Sequence, residues 1–172
     1  IMLVERLFDD GIARCLLGRQ SSWPSGVYST LAGFVDPGET LEEAVIREVL
    51  EETAIHAIEP QYITSQPWPF PASIMLGFTA VATSEDIDVR QDDLEIAQWF
   101  SREQLASFTV NEVAIQQQNA EQKKELKVEH SSKIQPKKVP EDINTQAFKM
   151  SSSDSISSYL ITAWKNKEIG KY

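Results

Sequence analysis

Three glutamates in the first third of the chain have the type and spacing that metal-assisted chemistry needs. Glu48, Glu51 and Glu52 are spaced i, i+3 and i+4, so a helix would carry them along one side. Carboxylates at this spacing repel one another unless a cation neutralises them, and Mg²⁺ and Mn²⁺ prefer such oxygen ligands. The alternative is a solvated acidic helix face. The glycine-containing loop just before them favours a metal site that handles phosphates.

A helix must position these glutamates, and the sequence marks where it begins. Thr40 is a good N-cap, and Glu43 follows three residues later, which allows a capping box. Residues 41–53 contain no Pro or Gly and are rich in strong helix formers. At about 100° per residue, four apolar residues share an arc that we expect to face the core. These residues are Val45, Ile46, Val49 and Leu50.

The same stretch resembles the Nudix box, G-x5-E-x7-R-E-U-x-E-E-x-G-U, in which U is apolar. The matching residues are Gly33, Glu39, Arg47, Glu48, Val49, Glu51, Glu52 and Ile55. Ala54 stands where the family has glycine. Because that glycine belongs to the turn that leaves the helix, we expect strain at Ala54 if its φ is positive.

A second motif, SQPWPFPAS, occupies residues 65–73. Its alternating prolines lack amide donors and cannot lie inside a central strand. They predict a stiff extended rim whose aromatic faces stack on nucleotide rings. The alternative is a polyproline-type surface segment or a packed proline loop. The motif resembles the SQPWPFPxS array of the NADH diphosphatase branch of the Nudix hydrolases and matches every specified position.

The resemblance implies hydrolysis of the pyrophosphate in NADH, NAD⁺ or a similar dinucleotide, giving nicotinamide mononucleotide and AMP, with Mg²⁺ or Mn²⁺ as cofactor. It implies that Glu48 and Glu52 are metal ligands and that Glu51 is a ligand or the base that orients water. The backbone carbonyl of Ala32 would reach one ion. An ion pair between Glu39 and Arg47 would fix the geometry between the loop and the helix.

A further metal ligand of the family lies downstream, and the matching position is Asp93. Because aspartate is one methylene shorter than the usual glutamate, Asp92 or Glu95 could be the ligand instead. The other alternative is that Asp93 is an exposed loop residue without a role in metal binding. Phe34 and Ser157 match substrate contacts. The substrate contacts implied by the second motif are Gln66, Pro67, Trp68, Pro69, Phe70, Pro71, Ala72 and Ser73.

Other functions stay open at the level of the sequence. The enzyme could remove NAD caps from RNA 5′ ends, which is the same bond in a larger substrate, or act as another nucleoside-diphosphate-linked pyrophosphatase. The chain could also be an inactive nucleotide-binding fragment. Resemblance to the family implies a homodimer if the full-length chain is present.

The order of elements predicts a mixed α/β architecture, and the resemblance implies an α/β/α sandwich around a mixed sheet. We expect a hairpin from strands at 1–8 and 14–19, which the turn Asp9-Asp10-Gly11 joins. Further strands are expected at 28–34, 56–64, 73–83 and 93–100. Ser101 and Gln104 predict a short capped helix, and apolar spacing predicts a closing helix at 156–164.

The domain organisation follows from a change of composition. We expect a Nudix domain formed by residues 1–109 and 154–172, interrupted at 110–153 by a low-complexity, disordered insertion. The family's N-terminal domain and zinc ribbon have no counterpart in this sequence, which we expect to be a fragment or an incomplete chain.

Composition excludes several classes of function. The net charge of −10 disfavours nonspecific binding to nucleic acids or to membranes. No apolar run is long enough to span a membrane. Cys15 is the single cysteine, so the given residues form no intrachain disulfide, and we expect a buried structural thiol rather than a nucleophile. We expect an intracellular location, with cytoplasm, peroxisome and mitochondrion not distinguished.

Overall fold

The computed structural model describes residues 1–69, 72–89, 94–110, 149–150 and 153–172. The strands are β1 (Met2–Leu7), β2 (Ala13–Gln20), β3 (Val27–Tyr28), β4 (Ala57–Trp68), β5 (Ser73–Ala82), β6 (Leu94–Ser101), β7 (Thr109–Val110) and β8 (Lys149–Met150). The helices are α1 (Leu41–Thr53), α2 (Arg102–Ala106) and α3 (Ile156–Lys165). The expected insertion at 110–153 lies almost entirely outside the described residues.

A five-stranded mixed sheet, in the order β4-β5-β1-β2-β6, forms the centre of the fold. β1 and β5 run parallel, whereas the other neighbours in this sheet are antiparallel. A smaller sheet joins β3, β8 and β7 in parallel. The predicted hairpin at Asp9–Gly11 is confirmed, and so is the predicted mixed α/β architecture.

Two apolar cores lie on opposite faces of the large sheet, because successive side chains of a strand point to opposite faces. Val4 on β1 packs in one core with Val45 and Val49 of α1. Leu3 packs in the other core with α3, through Leu160 among other residues. The large sheet therefore lies between α1 and α3, as the expected α/β/α sandwich requires.

Cys15 belongs to the α3 core and is fully buried. Burial raises the pKa of its thiol well above the ordinary value. The expectation of a structural rather than a nucleophilic cysteine is confirmed. In the part of the chain that the structure describes, no helix has the length and apolar character needed to cross a membrane.

The predicted strand at 28–34 is wrong in its second half. Regular pairing covers only Val27–Tyr28, and beyond it Ser29 and Leu31 form single bridges with Gly18 and Met2. From Ala32 onward the chain leaves the sheet, because it has to cross toward the start of α1.

The predicted core face of α1 is also wrong in part. Val45 and Val49 are buried as expected, whereas Ile46 is 38% exposed and Leu50 is 40% exposed. The other buried residues of α1 are Ala44 and Thr53. The inward arc is therefore centred near Val45 and includes the half-buried Glu48 and Glu52. The two carboxylates lie on the inward side of α1, not beside it.

Candidate functional site

The start of α1 is fixed by the predicted capping box. The Glu43 amide donates to Thr40 Oγ1 at 3.2 Å, and the Thr40 amide donates to Glu43 Oε2 at 2.9 Å. Hydrogen bonds from the backbone and the side chain of Thr40 lower the pKa of Glu43. The first turn of α1 is thus satisfied locally, which sets where the later glutamates of the helix lie.

Arg47 is the hub between the loop and the helix. Its Nε and Nη2 donate to the two carboxylate oxygens of Glu39 at 2.8 and 2.9 Å. Its remaining donors reach the Phe34 carbonyl at 2.9 Å, Glu48 Oε1 at 3.0 Å and Glu51 Oε2 at 2.9 Å. All the N–H donors of the guanidinium are therefore used. The predicted Glu39–Arg47 ion pair is confirmed.

The charges around Arg47 shift its own pKa and that of its main partner. Hydrogen bonding to Arg47 lowers the pKa of Glu39, with a smaller contribution from the backbone of Asp36. Hydrogen bonds to Glu39 and then to Glu51 raise the pKa of Arg47. Both groups stay ionised at neutral pH, so the pair holds the loop against the helix as an electrostatic clamp.

The carboxylate of Glu48 lies directly over the backbone of Gly33. A β-carbon built on Gly33 would come within 1.8 Å of Glu48 Cδ and within 2.2 Å of both carboxylate oxygens. Any residue larger than glycine at position 33 would have to displace this carboxylate. The glycine of the motif therefore makes room for the Glu48 side chain, which is only 15% exposed.

Glu52 lies one turn after Glu48 on the same inward side of α1, and its side chain is half-buried. Glu51 faces outward instead, with 57% of its side chain exposed.

The donor chemistry of this region suits a hard divalent cation. Glu48 and Glu52 supply carboxylate oxygens, and Ala32 precedes the glycine on which Glu48 lies. Within the described ranges, no three His, Cys, Asp or Glu side chains converge as a ready cage. Arg47 pairs with Glu48 and Glu51 and supplies the positive charge between them. The oxygen donors fit Mg²⁺ or Mn²⁺, with Arg47 as the competing cation.

The expected downstream acid is only partly visible. Asp93 and its alternative Asp92 lie outside the described residues. The other alternative, Glu95 on β6, forms an ion pair with Arg19 of β2. The carboxylate of Glu95 is therefore engaged with the neighbouring strand of the sheet.

The second motif forms the closing part of a hairpin. Residues 65–68 belong to β4, and Pro67 and Trp68 pair with Ile74 and Ser73 of β5. The prediction that these prolines do not lie inside a central strand is confirmed for Pro67, which lies in β4. It is tolerated because β4 is the edge strand, where a missing amide leaves no ladder bond unmade. Phe70 and Pro71 lie outside the described residues.

The aromatic residues expected to hold a nucleotide differ in exposure. Phe34 is 82% exposed, and its carbonyl is fixed by Arg47. Trp68 is half-buried, and its indole N–H is buried without a hydrogen-bond partner among the described residues. Phe34 is thus the more open stacking face. The exposed residues of the second motif, among those described, are Ser65, Pro67, Pro69, Ala72 and Ser73.

Gln66 and Ser157, which are both expected substrate contacts, bind other parts of the protein in this structure. The Gln66 amide donates to the Asp154 carbonyl at 2.6 Å and accepts from the Ile156 amide at 2.8 Å. Ser157 is 3% exposed, and its Oγ accepts from the Thr30 amide at 3.0 Å. Both side chains are engaged with the protein itself. Sequence reasoning missed Thr30, because nothing in the local pattern links it to a residue more than a hundred positions away.

Comparisons with known proteins agree on a single family. The family model described as NUDIX domain matches residues 4–125. The NAD-capped RNA hydrolase NUDT12 of Macaca fascicularis is 48% identical over 105 residues, which are 61% of this chain and 22% of that protein. The NAD-capped RNA hydrolase NudC of Pseudomonas entomophila (strain L48) is 54% identical over 86 residues, which are 50% of this chain and 31% of that protein.

A solved structure supports the same fold. The NUDIX domain of Shewanella oneidensis NrtR, determined in complex with ADP ribose, has a TM-score of 0.53 and 18% identity, covering 71% of this chain and 84% of that chain. At this identity the likeness concerns the fold alone. The two curated relatives are much longer than the matched region, since the chain spans 22% of one and 31% of the other.

Proposed function

This chain belongs to the Nudix family, and on that premise we propose that it hydrolyses the pyrophosphate bond of NADH or NAD⁺ to nicotinamide mononucleotide and AMP. The observation that carries the proposal is the position of the Glu48 carboxylate, over Gly33 and on the same inward side of α1 as Glu52. Two carboxylates held beside a loop backbone form a place for a cation that also binds a diphosphate.

We propose that Glu48, Glu52 and the Ala32 carbonyl hold Mg²⁺ or Mn²⁺. Such an ion, when bound, lowers the pKa of a water molecule and neutralises charge on the phosphates. Glu51 is the most exposed of the three glutamates, so it can bind an ion or orient the attacking water. Arg47 keeps the Phe34 carbonyl and Glu39 on one side of this group of acids. Asp93 remains a candidate further ligand from outside the described residues.

The dinucleotide would bind between Phe34 and the hairpin of the second motif. Phe34 offers an open aromatic face next to the acids, and Trp68 lies at the end of β4. Exposed parts of the hairpin at Pro67, Pro69 and Ser73 can contact the substrate, and Phe70, Pro71 and Ala72 complete the proposed set. Gln66 and Ser157 are engaged elsewhere in the fold, so we assign them no direct contact.

Removal of NAD caps from RNA is the second candidate. The relatives from macaque and Pseudomonas are named NAD-capped RNA hydrolases, which favours it. The bond to be broken is the same. The net charge of −10 favours a small substrate over a polyanion. Because the chain spans only part of those relatives, an inactive nucleotide-binding fragment is the third candidate. A homodimer and an intracellular location are also proposals, for light scattering and cell fractionation to test.

Turnover measurements test the proposal directly. NADH, NAD⁺, ADP-ribose and NAD-capped RNA are each incubated with the chain, with Mg²⁺, with Mn²⁺ and with a chelator. We expect metal-dependent release of AMP from NADH and NAD⁺. Faster release from capped RNA would favour the second candidate. A folded chain that binds Mn²⁺ and cleaves none of these substrates would contradict the proposed hydrolysis.

A further inference from the structure

The first turn of α3 lies between the second motif and the loop that leads to the glutamates. At its beginning, the Gln66 side chain of β4 holds the backbone from both sides, since it donates to the Asp154 carbonyl at 2.6 Å and accepts from the Ile156 amide at 2.8 Å. Both polar ends of the Gln66 amide are thus bound to this turn, which fixes the end of β4 against α3.

One residue further on, Ser157 binds Ser29 and Thr30, which lie just before the loop that contains Ala32 and Gly33. Its Oγ accepts from the Thr30 amide at 3.0 Å and lies 2.8 Å from Ser29 Oγ and 3.1 Å from Thr30 Oγ1. All three residues are buried. A hydroxyl oxygen accepts two hydrogen bonds and donates one, so these contacts saturate Ser157. Thr30 is two residues before Ala32 and three before Gly33.

The turn is also packed tightly against the hairpin. A β-carbon on Gly77 of β5 would come within 2.9 Å of Ile156 Cδ1 and within 3.2 Å of the Thr64 carbonyl. The first residue of α3 therefore uses the space that the missing side chain of Gly77 leaves open. Such close packing means that α3 cannot shift without moving β4, β5 or the Ser29–Thr30 segment.

We propose that residues 154–157, called the α3 bracket below, hold two parts of the site in fixed relative positions. These parts are the hairpin of the second motif and the loop that contains Ala32 and Gly33. Gln66 and Ser157 are the positioning residues. The effect of the bracket on substrate binding (the substrate arm) rests on the proposed function. Its effect on the metal site (the metal arm) can be measured without turnover. Ser157 fixes Thr30, which fixes the backbone at Ala32 and Gly33, on which the Glu48 carboxylate lies. Gln66 fixes the neighbouring Pro67 and Trp68. The metal-binding residues and the hairpin of the second motif then both depend on the first turn of α3.

Mn²⁺ binding without substrate, followed by electron paramagnetic resonance, tests the metal arm. Ser157→Ala is expected to weaken Mn²⁺ binding by up to about tenfold, the lower end of the loss that follows removal of a direct partner of a metal ligand, because Ser157 acts on the ligands only through Thr30. Ser158→Ala is the matched control, because Ser158 is the adjacent serine and is equally buried. It should leave Mn²⁺ binding unchanged, and Ser157→Thr should restore part of the loss. Unchanged binding in a folded Ser157→Ala variant would overturn the proposal, as would an equal loss in both alanine variants.

If Ser157→Ala does not fold, Ser29→Ala is the second variant. It removes one hydroxyl from the same cluster and leaves Ser157 in place. We expect it to weaken Mn²⁺ binding in the same direction, by less than Ser157→Ala would. Lower thermal stability with unchanged Mn²⁺ binding would mean that the cluster serves only to stabilise the fold, and would overturn the proposal.

The substrate arm uses Gln66→Leu, with Gln61→Leu as its control on the same strand. Gln61 is exposed and pairs with Thr79. Gln66→Leu is expected to raise KM for NADH and to weaken Mn²⁺ binding by less than Ser157→Ala does, and Gln61→Leu is expected to change neither. An equal KM for both variants would overturn this arm. If neither the unmodified chain nor its variants turn over NADH, the proposed function fails. The Mn²⁺ measurements still test whether the α3 bracket positions the metal site.

A double variant separates positioning from direct contact. If one turn of helix serves both sides, the KM of Gln66→Leu combined with Ser157→Ala, at saturating Mn²⁺, should rise by less than the product of the single effects, because the second change releases a bracket that is already loose. If Gln66 and Ser157 instead contacted the substrate independently, the effects of the two single substitutions on KM would multiply. A fully multiplicative result would overturn the single bracket.

Discussion

The carboxylate of Glu48 fills the space that a side chain on Gly33 would need. The two residues are fifteen positions apart in the sequence, and a β-carbon on the glycine would lie 1.8 Å from Glu48 Cδ. This contact explains why a glycine begins the motif and a glutamate lies in the middle of its helix. The loop and the helix form one site because the glycine lets the carboxylate approach the backbone.

Gly33→Ala should therefore move the Glu48 carboxylate and weaken Mn²⁺ binding. Because the displaced carboxylate loses its position on the loop, we expect a loss of roughly ten- to a hundredfold in affinity, as for other changes that reorient a ligand. Calorimetric titration with Mn²⁺ measures this. A folded Gly33→Ala variant with unchanged affinity would contradict the assignment of Glu48.

Gly38→Ala is the control in the same loop. Gly38 has a φ of +90°, and a β-carbon there meets nothing within 4 Å. The substitution strains the backbone without a steric clash, so it should lower the melting temperature and leave Mn²⁺ affinity unchanged. The pair of variants separates displacement of a ligand from general destabilisation.

The second prediction concerns the end of α1. Ala54 has a φ of 60° and a ψ of 13°, so it has the left-handed conformation in which we expect a residue other than glycine to be strained. Ala54→Gly should stabilise the fold by about 1 kcal/mol, because glycine adopts this conformation without the steric cost of a β-carbon. Chemical denaturation measures the change. Ala44→Gly, in the interior of the same helix, should destabilise by about 1 kcal/mol or more.

Local patterns predicted the elements of this fold well and their orientation less well. Capping boxes at Thr40 and Ser101 are read from four residues each, and both are present. Periodicity finds an apolar arc but does not say which part faces the sheet. The prediction that Ile46 and Leu50 face the core is therefore wrong, because Glu48 and Glu52 occupy part of the inward side of α1.

Contacts between distant residues could not be predicted from the sequence. The Gln66 side chain binds a turn 90 residues later, and Ser157 binds Thr30 across 127 residues. The partners of Gln66 within the protein cannot be predicted from its motif, because they are determined only by the packing of α3 on β4 and β5. The Glu39–Arg47 pair was predictable because both residues belong to one motif.

The third prediction tests the metal site through Glu52. Glu52→Gln keeps the shape and the helix propensity of the side chain but removes the charge of a proposed ligand. We expect kcat for NADH to fall by orders of magnitude while the circular dichroism spectrum is unchanged, because the ion supplies several kcal/mol of charge stabilisation. Near-full, metal-dependent turnover in the folded variant would contradict the assignment of Glu52.

The fourth prediction concerns pH and Glu39. Arg47 lowers the pKa of Glu39 in the folded state, so the pair adds stability above the ordinary glutamate pKa of about 4.3 and loses it as pH falls through the lowered value. Glu39→Gln should therefore be less stable than the unmodified chain at neutral pH. Urea denaturation from neutral pH down to the lowered pKa of Glu39 measures the free energy of unfolding of both chains. The difference between them should become smaller as the pH falls. A difference that is independent of pH would mean that the ion pair is not its source.

The last prediction links the aromatic residues of the second motif to substrate choice. Trp68 lies at the end of β4, opposite Ser73, where its ring can line or brace the pocket. Trp68→Ala should raise KM for NADH more than it lowers kcat. Since aromatic stacking contributes about 0.5–1.5 kcal/mol beyond the area buried, the loss in kcat/KM should approach tenfold. Steady-state kinetics at saturating Mn²⁺ measures both parameters.

A comparison of two substrates identifies the cause of that loss. ADP-ribose lacks the nicotinamide ring, so its kcat/KM should fall less than that of NADH if Trp68 recognises the ring. If Trp68 instead braces a dimer, activity on both substrates should fall together and recover at high protein concentration. Trp68→Phe keeps an aromatic face and should retain most of the activity on NADH. An equal loss on both substrates, without dependence on protein concentration and with an intact fold, would contradict both roles and indicate a disturbed metal site.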